Sequence, residues 1–309
     1  MCGIAGIVSP GVSFVKQGRL QRMATALQHR GPDGEGYWIN AKQNIGFAHR
    51  RLSVIDLSAA AAQPLHYLHY TIIFNGEIYN YIELKEALAK KGYAFFTQSD
   101  TEVIAAAYDC WGIDCLNKFD GMFAFALWDD VAQQMIIARD RFGEKPLYYH
   151  ADYLQRGKFE QFAFASEMKA LWAIGVDKHL NGTMMLNYLT LGYVQNPIKK
   201  TATFYSNILS LPQGHYLTID PVAGSVQMKK WYNPSLQIPD VAKMTEVDII
   251  EKFSSLFLTS VSRRLRSDVS VGTSLSGGVD SSSIVAAIHS LKNVSQQWKN
   301  AGFTATFPG

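Results

Sequence analysis

Three cysteines in 309 residues are too few to staple a secreted fold with disulfides. Cys110 and Cys115 are spaced poorly for a metal knuckle and are expected to pack as small apolar groups. No run approaches the ~20 consecutive apolar residues of a membrane helix. The opening MCGIAGIVSPG has neither a basic start nor a long apolar core, so it is not a secretory signal. Charge of either sign is also scarce: 29 Lys and Arg against 26 Asp and Glu leave +3, too little for a nucleic-acid surface. The cluster Arg263-Arg264-Leu265-Arg266 is expected to be the solvated face of a helix. A reducing cytoplasm is the expected compartment, with neither nucleic acid nor membrane as partner. What the chain does have is length for two domains, each burying its own core.

Strand and helix signals mix from the start. Residues 3–8 (GIAGIV) predict a buried strand, and Leu20, Met23, Ala24 and Leu27 recur at helical spacing. The breaker-rich stretch HRGPDGEG, 29–36, predicts a loop. Strands are expected at Ile45–Ala48 and Thr71–Asn75. Asn80 and Glu83 suggest a capping box opening a helix that buries Leu84, Ala87 and Leu88. Another helix is expected from Ser99-Asp100 to Gly112. Met122–Trp128 predicts a strand covered on both faces, pairing with Met135–Arg139. From about 176 the pattern changes: residues 193–240 read as connections between short strands, and Thr245 and Asp248 then begin a long amphipathic helix with Ile249, Ile250, Phe253, Leu256, Phe257, Ser260 and Val261 on one stripe. A strand (269–275), a glycine turn, a helix (281–291) and a strand fragment (303–307) follow. That βαβ order argues for a parallel sheet, and the chain stops within the pattern.

Cys2 becomes the first residue once Met1 is removed. Its free α-amine, with an ordinary pKa of about 7.7–8.0, can then serve as base for its own thiol. Taken alone, Cys2 is better read as a small buried residue. Seven further segments accompany MCGIAG in order: HRGPDG, RRLSVIDL, FNGEIYNY, SDTEVI, GMFAFALWD, RDRFGEKPLYY and FASEMKAL. Together they resemble the class II, N-terminal-nucleophile glutamine amidotransferases, in the asparagine synthetase branch, over residues 2–235.

The resemblance implies an α+β sandwich, α/β/β/α with mostly antiparallel sheets. It also implies a set of roles. Cys2 is the nucleophile, and the Asn75 side chain and Gly76 N–H form the oxyanion hole. Arg51 clamps the substrate α-carboxylate, and Glu77 and Asp100 receive its α-ammonium. Leu52, Ser53, Val54 and Ile55 line the pocket. Each residue has a plainer alternative: Asn75-Gly76 as a turn, Asp100 as a helix N-cap. His29 and His49 are expected to be structural. Where relatives carry a glycine-containing segment, Ala59–Ala62 precede Gln63-Pro64, and an altered loop is expected there.

TSLSGGVDSSS, 273–283, resembles the PP-loop of ATP pyrophosphatases; no Gly-Lys-Ser/Thr follows, so it is not a Walker A loop. Glycines at a helix N-terminus suit an anion. The resemblance implies ATP contacts from Leu275, Ser276, Gly277, Gly278, Asp280, Ser281, Ser282 and Ala305, with Mg2+ at Asp280. The domains expected are therefore 2–235, the amidotransferase with its connector, and 236–309, the start of an α/β PP-loop synthetase domain. The function implied is transfer of glutamine-derived ammonia to ATP-activated aspartate, this chain alone being the glutaminase half. Two alternatives stay open: another carboxylate acceptor, and a non-catalytic binding protein on the same fold. The oligomeric state, a homodimer included, is not fixed by the sequence.

Overall fold

The structure, a computed structural model, describes residues 1–11, 14–153, 157–234, 244–292 and 301–304. By its contacts the chain divides into two compact units, Met1–Ser53 with Ser58–Asn233, and Val54–Leu57 with Pro234–Gly309.

The first unit holds twelve described strands: β1 (Gly3–Val8), β2 (Gly34–Ile39), β3 (Ile45–Arg51), β4 (Leu65–Tyr67), β5 (Tyr70–Ile78), β6 (Gly121–Asp129), β7 (Gln134–Arg139), β8 (Tyr148–Tyr153), β9 (Phe159–Ala165), β10 (Leu209–Ser210), β11 (His215–Asp220) and β12 (Ser225–Lys230). Its helices are α1 (Gln17–Ala26), α2 (Tyr81–Ala89), α3 (Asp100–Trp111), α4 (Cys115–Lys118), α5 (Met168–Trp172) and α6 (Gly182–Leu191). The strands form two sheets, ordered β10-β8-β9-β1-β3-β2 and β12-β11-β7-β6-β5-β4. Neighbours within each pair antiparallel, as in β1 with β3 and β5 with β6.

Alternation along the strands builds three apolar layers. Ile4, Val8, Ile45, Phe47, Ile73, Ala124, Ala126 and Trp128 meet between the sheets. Ala5 and Ile7 point the other way, onto Leu20, Met23 and Ala24 of α1. Ile72, Phe74, Phe123 and Phe125 turn to α3. The result is the expected α/β/β/α sandwich. β6 is buried on both faces because its phenylalanines serve one layer and its alanines and Trp128 the other. Each fully buried ring contributes roughly 1.5–3 kcal/mol, so the layers dominate the stability of this unit.

Several local expectations fail for identifiable reasons. Asn80 precedes α2 but makes no side-chain cap; its amide instead ties Lys118 O (2.9 Å) and the Asp120 N–H (2.9 Å). Ala87 is exposed, leaving Leu84 and Leu88 to dock the helix. β2 starts at Gly34, inside the stretch expected as loop, because β3 offers it a complete antiparallel partner. Ala59–Ala61 form a single 3-10 turn.

The second unit contains α7 (Glu246–Arg264), β13 (Gly272–Ser274), α8 (Val279–Lys292) and β14 (Ala301–Phe303). Thr245 and Asp248 cap α7 reciprocally. Of the expected stripe only Val261 is buried; it packs with Ala287 and Ile288 of α8, and Phe257 lies against them. Ile249, Ile250, Phe253 and Leu256 are exposed. β13 and β14 pair in parallel, the βαβ order expected, but β13 is shorter than the apolar run suggested. Val54 belongs to this unit through its carbonyl, which accepts the Asp268 N–H (2.9 Å), while Asp268 Oδ2 accepts the Asp56 N–H (2.7 Å).

Candidate active site

The alternation that fills the layer between the sheets also decides what stands at its end. On β1 the inward positions are Ile4 and Val8, so one step back along the same face is Cys2. On β3 they are Ile45 and Phe47, followed by His49 and Arg51; on β5, Ile73 is followed by Asn75 and Glu77. Register brings Ile4 opposite His49, and His49 Nε2 donates to Phe74 O (3.2 Å), crossing from one sheet to the other. Cys2, Arg51, Asn75 and Glu77 therefore gather at one end of the sandwich.

Among the described residues, Leu52 alone holds the Cys2 thiol by hydrogen bonds. Leu52 N–H donates to Sγ (3.4 Å) and the S–H donates to Leu52 O (3.5 Å). Burial pushes this thiol above its ordinary pKa, and Asp100 adds to that, while Leu52, the chain's amine and Arg51 act against it. Asp33 fixes the strand end beside it, donating its N–H to Arg51 O (3.0 Å) and accepting the Ser53 N–H (2.8 Å). Gly31 makes this possible: a Cβ there would stand 2.4 Å from the Arg50 carbonyl carbon. Arg51 Nη1 donates to Ser58 O (2.8 Å).

Across the layer, Asn75 is 1% exposed. Neither Nδ2 nor Oδ1 of its amide has a hydrogen-bond partner among the described residues. A residue larger than glycine cannot follow it, because a Cβ at Gly76 would lie 2.1 Å from Met122 O on the next strand. Asp100 does not cap α3. Ser99 does, accepting the Thr101 N–H (3.1 Å), and the Asp100 carboxylate turns back to accept the Ile78 N–H (2.9 Å). Burial pushes Asp100 up to about 7, and the charge of Glu77 adds to it. Burial raises Glu77 as well, opposed by Lys145 and the chain's amine. Two mutually repelling carboxylates, one buried and one half-buried, would be relieved by a cation. His49 is pulled down to about 3 by burial, so it is neutral and no acid near pH 7. His29 pairs with Glu167 (2.8 Å) at the surface.

In the second unit, Gly277 takes φ +80° and nothing but Ser276 Oγ (3.6 Å) approaches where a Cβ on Gly278 would be. Ser281 Oγ donates to Gly278 O (3.1 Å) and accepts the Ser276 N–H (3.2 Å). Leu275 N–H donates to Phe303 O (2.8 Å). Asp280 and Ser282 lie in the first turn of α8. Ala305 lies outside the described residues. Among the described residues no three His, Cys, Asp or Glu side chains gather as a metal site, and no helix is long and apolar enough to cross a membrane.

Residues 1–232 match the family model described as a glutamine amidotransferase domain. The chain belongs to the glutamine amidotransferase family. Residues 252–308 match the asparagine synthase model, which sets this amidotransferase in the asparagine synthetase group. It is 37% identical over 314 residues to asparagine synthetase [glutamine-hydrolyzing] 1 of Bacillus subtilis, covering 98% of this chain and 47% of the relative. To putative asparagine synthetase 2 of Methanocaldococcus jannaschii it is 34% identical, covering 96% and 58%. It is also 32% identical to a Gibberella zeae protein named amidase chry2, covering 100% and 45%. The chain thus spans about half the length of the curated relatives it matches. The fold resembles the PRPP amidotransferase of B. subtilis solved with ADP and GMP: TM-score 0.52, 19% identity, covering 98% of this chain and 65% of that one.

Several buried or paired polar residues were present in the quoted segments without being singled out. Arg30 Nε donates to Cys2 O (2.9 Å) and its Nη1 pairs with Glu167 (2.9 Å). Although burial acts against it, Arg30, Lys169 and His29 hold Glu167 down to about 2. Asp140 is fully buried and accepts four backbone N–H groups, from Phe123, Phe142, Glu144 and Lys145. Glu102, also fully buried, accepts those of Phe96 and Thr97. Both carboxylates stand among charged or polar neighbours in the sequence, and no local pattern marks either as buried.

Proposed function

We propose that this protein hydrolyses glutamine at Cys2 and, in a protein with its relatives' full length, passes the ammonia to ATP-activated aspartate to give asparagine. The observation that carries the first half is Asn75: a buried amide with no partner among the described residues, on the face Cys2 shares. After removal of Met1 the Cys2 α-amine takes the thiol proton, and Sγ adds to the side-chain carbonyl carbon of glutamine. Asn75 Nδ2–H and the Gly76 N–H meet the oxyanion, an arrangement stronger in the transition state than in the ground state. The amine then gives its proton to the departing ammonia, leaving a γ-glutamyl thioester that water cleaves to glutamate. Arg51 suits the α-carboxylate as a bidentate donor, and the repelling pair Glu77 and Asp100 suits the α-ammonium. Leu52 and Ser53, with Val54 and Ile55, complete the pocket wall in this proposal.

For the second half, the PP-loop from Leu275 to Ser282, with Gly277 and Gly278 free of crowding, fits the phosphates of ATP at the start of α8. Ala305 is retained from the resemblance. Asp280 belongs to no cluster of three metal-ligating side chains among the described residues, so Mg2+ there would be shared with phosphate oxygens. ATP bound in this way supplies the adenylyl group that activates the acceptor. A second reading, a carboxylate acceptor other than aspartate, is favoured by the amidase-named relative. The test is glutamate release by processed wild type and Cys2→Ala, with glutamine binding measured in parallel. Cys2→Ala is expected to bind glutamine and release no glutamate; glutamate release at the wild-type rate would refute the proposal.

A further inference from the structure

Lys145 is a buried lysine whose Nζ has no carboxylate within salt-bridge distance among the described residues. It is 4% exposed, and its Nζ has one hydrogen-bond partner among the described residues, the Sδ of Met1 at 3.2 Å. A thioether is a weak acceptor, and it leaves the chain if Met1 is removed. The lysine cannot readily withdraw. Its N–H is fixed on Asp140 Oδ2 (3.0 Å), its carbonyl accepts Arg139 Nε (2.7 Å), and Pro146 follows. Burial pulls Lys145 below the ordinary lysine range, while Glu77, Glu144 and Asp140 favour its charge. At the other end of the contact, burial lowers the Met1 amine, Arg30 and Lys145 push it the same way, and Cys2 and Asp33 oppose them. The charged groups around this corner are therefore Arg30, Arg51 and Lys145 against Asp33, Glu77, Asp100, Asp140 and Glu144.

We propose that Lys145 is a positioning residue for the terminal amine: once Met1 is gone, its ammonium faces the new Cys2 α-amine and keeps it unprotonated, ready to accept the thiol proton. The proposal rests on the reading of Cys2 as a terminal nucleophile. The chemistry is that of two like charges held close at the partly buried start of the chain, where a second cation is disfavoured beside the first. Lys145 itself takes no proton from the thiol and forms no bond to substrate.

The test compares wild type, Lys145→Met, Lys145→Arg and Cys2→Ala, each shown by intact mass to have lost Met1. The glutaminase kcat/KM is followed over roughly pH 5.5 to 9, where it reports free-enzyme groups. Lys145→Met is expected to move the acid limb up by roughly one pH unit. Above that limb its rate should return to within a small factor of wild type, with KM for glutamine unchanged. Lys145→Arg should leave the limb in place. An unmoved limb in Lys145→Met overturns the proposal, as does a raised KM with the limb unmoved, which would make Lys145 a holder of substrate. Should Lys145→Met fail to fold, Lys145→Gln removes the same charge and is judged by the same limb. Glutaminase retained by Cys2→Ala would sink the nucleophile reading and this one with it. Loss of activity there, with an unmoved limb in Lys145→Met, overturns the Lys145 assignment alone.

Discussion

Replacing Asn75 with leucine should make the protein more stable and far less active. The two side chains have the same number of heavy atoms and branch at the same carbon, so the exchange trades two polar atoms for two methyl groups. In the native chain both polar atoms are buried without a partner among the described residues, and each such group costs about 1–3 kcal/mol. Part of that gain is offset because methyls are bulkier than an amide in a packed interior. A net stabilisation of about 1–2 kcal/mol remains. The catalytic loss is that of one oxyanion donor, about 10²–10³ in kcat, or roughly 2.7–4 kcal/mol. Urea unfolding gives the first quantity, read as a shift in midpoint at constant slope; glutamate release at saturating glutamine gives the second. A variant destabilised by more than about 1 kcal/mol, with kcat near wild type, would show that the amide supports the fold and not the reaction.

Two other outcomes follow from buried carboxylates. Asp100 titrates near 7 in the folded chain against about 3.9 unfolded, so folding binds its proton, and stability falls as pH rises through that window. Asp100→Asn keeps an acceptor for the Ile78 N–H and should add stability at pH 8, on the order of 4 kcal/mol at most, but change little at pH 4 or below; equal shifts in thermal midpoint at both pH values would contradict the assignment. Asp140→Ala should cost about 3–6 kcal/mol, because the buried N–H groups of Phe123 and Lys145 lose a charged acceptor; urea unfolding that shows a loss below about 1 kcal/mol would deny Asp140 its role in ordering the loop after β7.

The elements legible in the sequence are those with one dominant local signal. Met122–Trp128 could be read as a doubly covered strand because its apolar run admits no solvent face, and α7 because Thr245 and Asp248 form a real cap. Asn80 carried a similar signature and misled, since Lys118 and Asp120 compete for its amide from 38 and 40 positions away. β2 was hidden by its glycines; only β3, closing on it from a later part of the chain, makes it a strand. For the site, the motif resemblance supplied Cys2, Arg51, Asn75, Glu77 and Asp100 as residues without saying why they meet. Their meeting depends on register between distant strands, which no local pattern carries. Lys145 and Arg30 were missed for the same reason: each acts on the N-terminus from more than two dozen residues away.

Strand parity at this site has a consequence for insertions and for processing. Cys2, Asn75 and Glu77 continue the inward phase of β1 and β5, so the proposed chemistry depends on whether a position is odd or even along its strand. One residue inserted between Ile73 and Asn75 would turn both Asn75 and Glu77 toward α3, and a compensating bulge would be needed to restore them. The same parity governs the start of the chain. Cleavage after Met1 exposes a residue already facing the layer between the sheets, whereas cleavage one bond later would present Gly3, whose phase points to α1. The reading frame of the pleat, and not only the identity of the residue, selects which peptide bond can yield a working terminus.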